Sequence, residues 1–98
     1  MDGLDTLLRF YEKAARDGRI GVAHLGLYAT LFDCWARQGF EGPVTAYAKD
    51  LMSLAKISSS ATYHRLIREL AAYGYVKYLP SFYKRKASAI YLNEKIKI

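Results

Sequence analysis

Apolar residues recur with the period of helices through the first three quarters of this chain and with that of strands near its end. In residues 2–17, Leu4, Leu7, Leu8, Tyr11, Ala14 and Ala15 follow the i, i+3, i+4, i+7 spacing of one helix face. Asp2 and Asp5 suit its start, where the helix dipole favours negative charge, and Gly18 suits its end. Residues 23–38 carry two stripes: Leu25, Tyr28, Ala29, Phe32, Trp35 and Ala36 form one, and Leu27, Leu31 and Cys34 the other. A helix apolar around most of its circumference belongs between layers. The first helix is expected to cover the extra face, in its own chain or in a partner's.

Gly39 to Pro43 break the pattern. Thr45 then suits the N-cap of a short helix ending near Ala55, with Ala48, Leu51, Met52 and Ala55 inward. Lys56-Ile57-Ser58 reads as a turn with one apolar anchor. Ser59 or Ser60 can cap a longer helix that ends at Tyr73 and stops at Gly74, with Tyr63, Leu66, Ile67 and Leu70 inward. Residues 75–79 and 87–92 are rich in β-branched and aromatic side chains, so the chain is expected to close as a hairpin whose tip spans 80–86. In the tail, Ile96 and Ile98 are able to pack or pair. The pattern predicts one mainly α, α+β domain: a helical core, a two-stranded hairpin and an extra N-terminal helix.

The 98 residues contain 52 % apolar, 14 % aromatic and 24 % charged side chains, a globular composition with too many aromatics for disorder. The formal charge is +6, distributed unevenly. Residues 1–50 hold six basic and seven acidic side chains, and residues 51–98 hold nine and two. Between Leu51 and Asn93 the one acid is Glu69. Such asymmetry points to a face that meets a polyanion. The single cysteine, Cys34, excludes an intrachain disulfide and a multi-cysteine zinc site. The N-terminus lacks the basic–apolar–small order of an export signal, and no apolar run approaches the roughly 18 residues of a membrane span. A cytoplasmic, nucleoid-associated protein without membrane contact is expected.

The order of short helix, turn, longer helix, glycine and hairpin is that of a helix-turn-helix followed by a wing. On Ala48-Lys49-Asp50-Leu51, Ser59-Ser60-Ala61-Thr62-Tyr63, Arg68-Glu69-Leu70 and Gly74-Tyr75-Val76, residues 22–92 resemble the winged helix-turn-helix DNA-binding superfamily. They are also similar to small winged-helix proteins of bacterial chromosomes and mobile elements, and to N-terminal domains of some replication initiators. The resemblance implies a recognition helix over 59–73 in the major groove and a wing over 80–86 on the backbone or in the minor groove.

With Tyr63, Leu66, Ile67 and Leu70 inward, the opposite face of that helix carries Ala61, His64, Arg65 and Arg68, and Ser59, Ser60 and Thr62 stand at its N-terminal rim. Arg65 suits a bidentate contact to guanine, which is worth about 1–3 kcal/mol of discrimination. Arg68 suits a phosphate, and His64 suits either. At the hairpin tip Lys84, Arg85 and Lys86 stand beside Phe82 and Tyr83, and Lys77 lies on the rising strand. Of the nine tyrosines, Tyr83 and Tyr78 are placed to touch nucleic acid, and the others fall on inward stripes or strand faces. Each candidate has a plainer reading: the arginines as a solvated helix face, the serines as caps, the lysines as blunting of a sheet edge.

Catalytic, metal and cofactor sites are not expected. His24 and His64 lie in different helices without metal-ligand spacing, Cys34 sits in an apolar helix, and the glycines are scattered at element ends. The expected function is sequence-specific binding of double-stranded DNA by a transcriptional regulator. One recognition helix covers few base pairs, so a homodimer is expected, through the N-terminal helix (residues 1–18) and the helix 23–38, with residues 19–98 as the DNA-binding domain. The competing expectations are a winged-helix protein-interaction module of a replication or chromosome-maintenance complex, and a nonspecific architectural protein.

Overall fold

The computed structural model describes residues 3–81 and 87–96. The elements are α1 (Gly3–Ala14), α2 (Val22–Arg37), β1 (Val44–Ala46), α3 (Ala48–Ala55), α4 (Ser60–Ala72), β2 (Val76–Leu79) and β3 (Ser88–Leu92). They form one α+β domain, mainly helical, with a three-stranded antiparallel sheet in the order β1-β3-β2. Among the described residues no helix is long and apolar enough to cross a membrane.

α2 is the central element, packed on α3, α4 and β1. Leu27, Tyr28, Leu31 and Trp35 are buried on it, while Leu25, Phe32 and Cys34 are half-buried against the same core. Burial pushes the Cys34 thiol pKa up, which suits a packing rather than a reactive role. α4 contributes Tyr63, Leu66, Ile67 and Leu70 to the core, as its spacing predicts. Val44, Val76, Ile90 and Leu92 line the inner face of the sheet, and Ile96 closes the core beyond β3. Ile98 lies outside the described residues.

Three features differ from the sequence expectation. First, the hairpin gains a third strand. Val44 is buried opposite Ile90, and Thr45 and Ala46 pair with Ala89 and Ser88. Thr45 is therefore a strand residue and does not cap α3. The N-cap is Tyr47, with extended backbone at φ −81° and ψ 145°. A three-residue strand carries too little alternation to be read from sequence, and it forms here because β3 offers an open edge.

Second, α1 is rotated so that only part of the expected stripe faces inward. Ala14 is buried and Leu7 half-buried, as expected, but the rest of the buried face is Gly3, Thr6 and Phe10, and Leu4, Leu8 and Tyr11 are exposed. A Cβ on Gly3 would overlap the ring of Phe40, so glycine at the start of α1 lets that ring lie directly over it. Phe40 packs edge-on against Trp35 (centroids 5.1 Å apart, planes at 84°), holding the α2 terminus to the start of α1.

Third, Tyr78, expected at a nucleic-acid contact, is half-buried against the core on the inner side of β2.

Left-handed residues end both α3 and α4. Lys56 ends α3 at φ 62°, and the N–H of Ile57 returns to the Met52 carbonyl (2.9 Å). Gly74 ends α4 at φ +88°, and the N–H of Tyr75 returns to the Leu70 carbonyl (2.9 Å). Both are Schellman closures that anchor the following apolar residue in the core.

Candidate nucleic-acid interface

Most of the described candidates lie along α4. Ser59 is the N-cap, in extended backbone at φ −108°, and its hydroxyl accepts from the Thr62 N–H at 3.3 Å. The Ser60 carbonyl accepts from His64 Nδ1 at 2.8 Å, and the Ser60 hydroxyl lies 3.3 Å from the same nitrogen. A carbonyl can only accept, so His64 carries its proton on Nδ1 in this arrangement and leaves Nε2 as an acceptor. Thr62 is half-buried at the rim, and Ala61 beside it is exposed and small. The plain cap role and the contact role are compatible for Ser59, whose hydroxyl oxygen retains a second lone pair.

Arg65 and Arg68 project from the solvent face of α4, one turn apart. They differ in what holds them. Arg68 has no hydrogen-bond or ion-pair partner among the described residues. Arg65 donates through a terminal guanidinium nitrogen to Glu69 Oε1 at 2.9 Å, an i, i+4 pair. The same oxygen is 2.8 Å from Nε2 of the buried His24 on α2. The Gly21 N–H donates to His24 Nδ1 at 3.0 Å, so the ring proton sits on Nε2 and points at Glu69. The one acid of the basic region is thus a junction between α2 and the solvent face of α4.

The C-terminal end of α4 is fixed from the other side. The Asp17 carboxylate accepts from Arg19 Nε and its terminal nitrogen (2.8 and 2.9 Å), and from the Tyr75 hydroxyl (2.9 Å). The hydrogen bonds from Arg19, chiefly from its side chain, hold the Asp17 carboxyl well below the usual carboxylate range against the opposing effect of burial. The Arg19 guanidinium lies over the Tyr73 ring, 3.9 Å from its centre. Lys13 donates to the Tyr73 carbonyl at 3.1 Å. These contacts join α1 and the loop after it to the end of α4.

Lys77 stands elsewhere. It projects from the outer face of the sheet opposite Tyr91, with its ammonium 6.0 Å from that ring's centre. The structure does not bring it to the α4 face. Tyr83, Lys84, Arg85 and Lys86 of the expected wing tip lie outside the described residues.

Two features escaped the sequence reading. Lys56 is exposed in the turn that leads into the α4 cap, a position where glycine is the usual signal. The His24–Glu69 contact spans 45 residues and leaves no local pattern. Among the described residues no group of three or more His, Cys, Asp or Glu side chains is placed to hold a metal ion. No protein-family model matches this chain, and no curated protein or solved structure matches it.

Proposed function

We propose that this chain is a sequence-specific double-stranded DNA-binding protein of the winged helix-turn-helix type, a homodimeric transcriptional regulator without catalytic activity. The observation that carries the reading is the solvent face of α4. Arg65 and Arg68 stand one turn apart on it, behind an N-terminus capped by Ser59 and flanked by the small Ala61. A recognition helix presents its N-terminal half to base edges, where a small residue allows close approach and an arginine reads guanine. The succession of α3, a four-residue turn, α4 and the β2–β3 hairpin supports the reading, and β1 does not disturb it because it joins the far edge of β3. The basic second half of the chain supplies the long-range attraction that a polyanion requires.

The homodimer is supported by α1. Leu4, Leu8 and Tyr11 are each about half exposed, at spacings of four and three residues, which is the seam pattern of paired helices. An exposed apolar stripe of this kind marks a protein contact, and a second copy brings the second recognition helix that a two-fold site needs.

Selection of bound fragments from a random duplex pool tests the proposal. The expected result is an enriched sequence with two-fold symmetry whose recognition weakens on Arg65→Ala. No enrichment, with equal affinity for all duplexes, overturns it.

A further inference from the structure

We propose that Glu69 and His24 are positioning residues for Arg65: a buried imidazole fixes the carboxylate, and the carboxylate fixes the guanidinium that reads a base. The inference rests on the DNA-binding reading of α4 and adds to it a device for specificity.

The geometry has a direction. His24 is locked first, because the α2 N-cap amide occupies Nδ1 and the ring is almost wholly buried. Its Nε2 proton therefore has one target, Glu69 Oε1 at 2.8 Å. Glu69 is itself largely covered, with 30 % of its side chain exposed, whereas Arg65 has 58 % exposed. Order thus decreases outward from the core: imidazole, carboxylate, guanidinium. A free surface arginine samples many rotamers and loses them on binding. Here one guanidinium nitrogen is already anchored at 2.9 Å. Arginine presents five N–H donors in a planar fork, so the edge facing away from Glu69 keeps a pair of donors for the O6 and N7 of guanine.

The anchor also separates the two arginines chemically. Arg65 is partly neutralised by Glu69 and is thereby less attracted to a bare phosphate, while the exposed Arg68 has no acidic partner among the described residues. The pair divides labour between base reading and backbone attraction.

The test compares Glu69→Ala with Glu69→Gln, using the selected duplex and a random-sequence duplex of equal length. Both variants remove one negative charge, so both raise affinity for the random duplex. Glutamine retains Oε1 as an acceptor for both His24 and Arg65, whereas alanine retains nothing. The ratio of selected to random affinity is expected to fall about three- to tenfold in Glu69→Ala, a part of what the whole arginine contact supplies, and to stay near wild type in Glu69→Gln. In an Arg65→Ala background, Glu69→Ala should change the ratio no further. Without DNA, NMR of the Arg65 side chain should show hindered guanidinium rotation in the wild type and in Glu69→Gln, and free rotation in Glu69→Ala. His24→Leu, which keeps the volume and removes the donor, should act in the same direction as Glu69→Ala. If Arg65→Ala lowers the ratio and Glu69→Ala leaves it unchanged, the positioning role is overturned and the DNA-binding reading stands. If Arg65→Ala itself leaves the ratio unchanged, the base-reading assignment falls, and the positioning role falls with it.

Discussion

The rings of Phe10 and Tyr28 stack face to face, with centroids 3.6 Å apart and planes at 3°. Both side chains are fully buried, and Tyr75 meets Phe10 edge-on with ring centroids 5.2 Å apart. This contact makes α1 part of the core, although its outer stripe is also the proposed dimer surface. Removal of residues 1–18 would therefore test folding and association together, and point substitutions are needed to separate them. Phe10→Ala is expected to destabilise the domain by about 3–5 kcal/mol, the usual cost of emptying a buried phenyl site, measured by urea unfolding.

Leu8→Lys, two residues away on the opposite, exposed side of α1, should leave stability within about 0.5 kcal/mol and abolish self-association. Sedimentation velocity over a concentration series reads the difference. A dimer that survives Leu4→Lys and Leu8→Lys together would place the interface elsewhere.

The two left-handed helix ends predict opposite effects. Gly74→Ala forces a Cβ into φ +88° and should cost about 1–2 kcal/mol. Lys56→Gly relieves φ 62° and should stabilise by up to about 1 kcal/mol. If Lys56 also meets phosphate, the same variant will bind DNA more weakly while melting higher. Thermal unfolding and a binding titration give both numbers.

The pH profile follows from Asp17 and the buried tyrosines. The Asp17 carboxyl is depressed by Arg19 in the folded state, so its stabilising effect is complete above the ordinary carboxylate value of 3.8 and is lost as pH falls below it. Asp17→Asn should be less stable than wild type at neutral pH, and the gap should narrow in acid. At the alkaline end, burial pushes Tyr63 and Tyr75 up to about 12 and moves Tyr28 in the same direction. Their neutral forms are favoured by folding, so stability is full below 10 and declines as pH rises above it. Denaturant midpoints measured across pH, with phenolate absorbance followed in parallel, check both limbs.

Arg68 should act on affinity without selectivity. Arg68→Ala is expected to weaken binding to all duplexes alike and to reduce the salt slope by about one, while Arg65→Ala should relax discrimination at one base position. Filter binding or fluorescence anisotropy at several salt concentrations separates the two.

Much of this was legible in the order of residues. The core stripe of α4, the cap at Ser59, the stop at Gly74 and the hairpin all follow from short-range rules, because each depends on side chains within one or two turns. The candidate arginines were legible for the same reason: once the inward stripe is known, the outward face is its complement.

What tertiary structure alone decided has a different origin. α1 has two apolar faces, and periodicity could not choose between them. The choice fell to Phe10 because α2 presents the flat ring of Tyr28, and to Gly3 because Phe40 needs the space above it. β1 exists because β3 has a free edge for Val44, not because three residues prefer to be a strand. Glu69, in sequence the one acid of a basic stretch, became a junction when packing of α2 on α4 brought His24 within 2.8 Å. Local sequence sets which faces and ends are possible, and the fit between distant side chains selects the ones that are used.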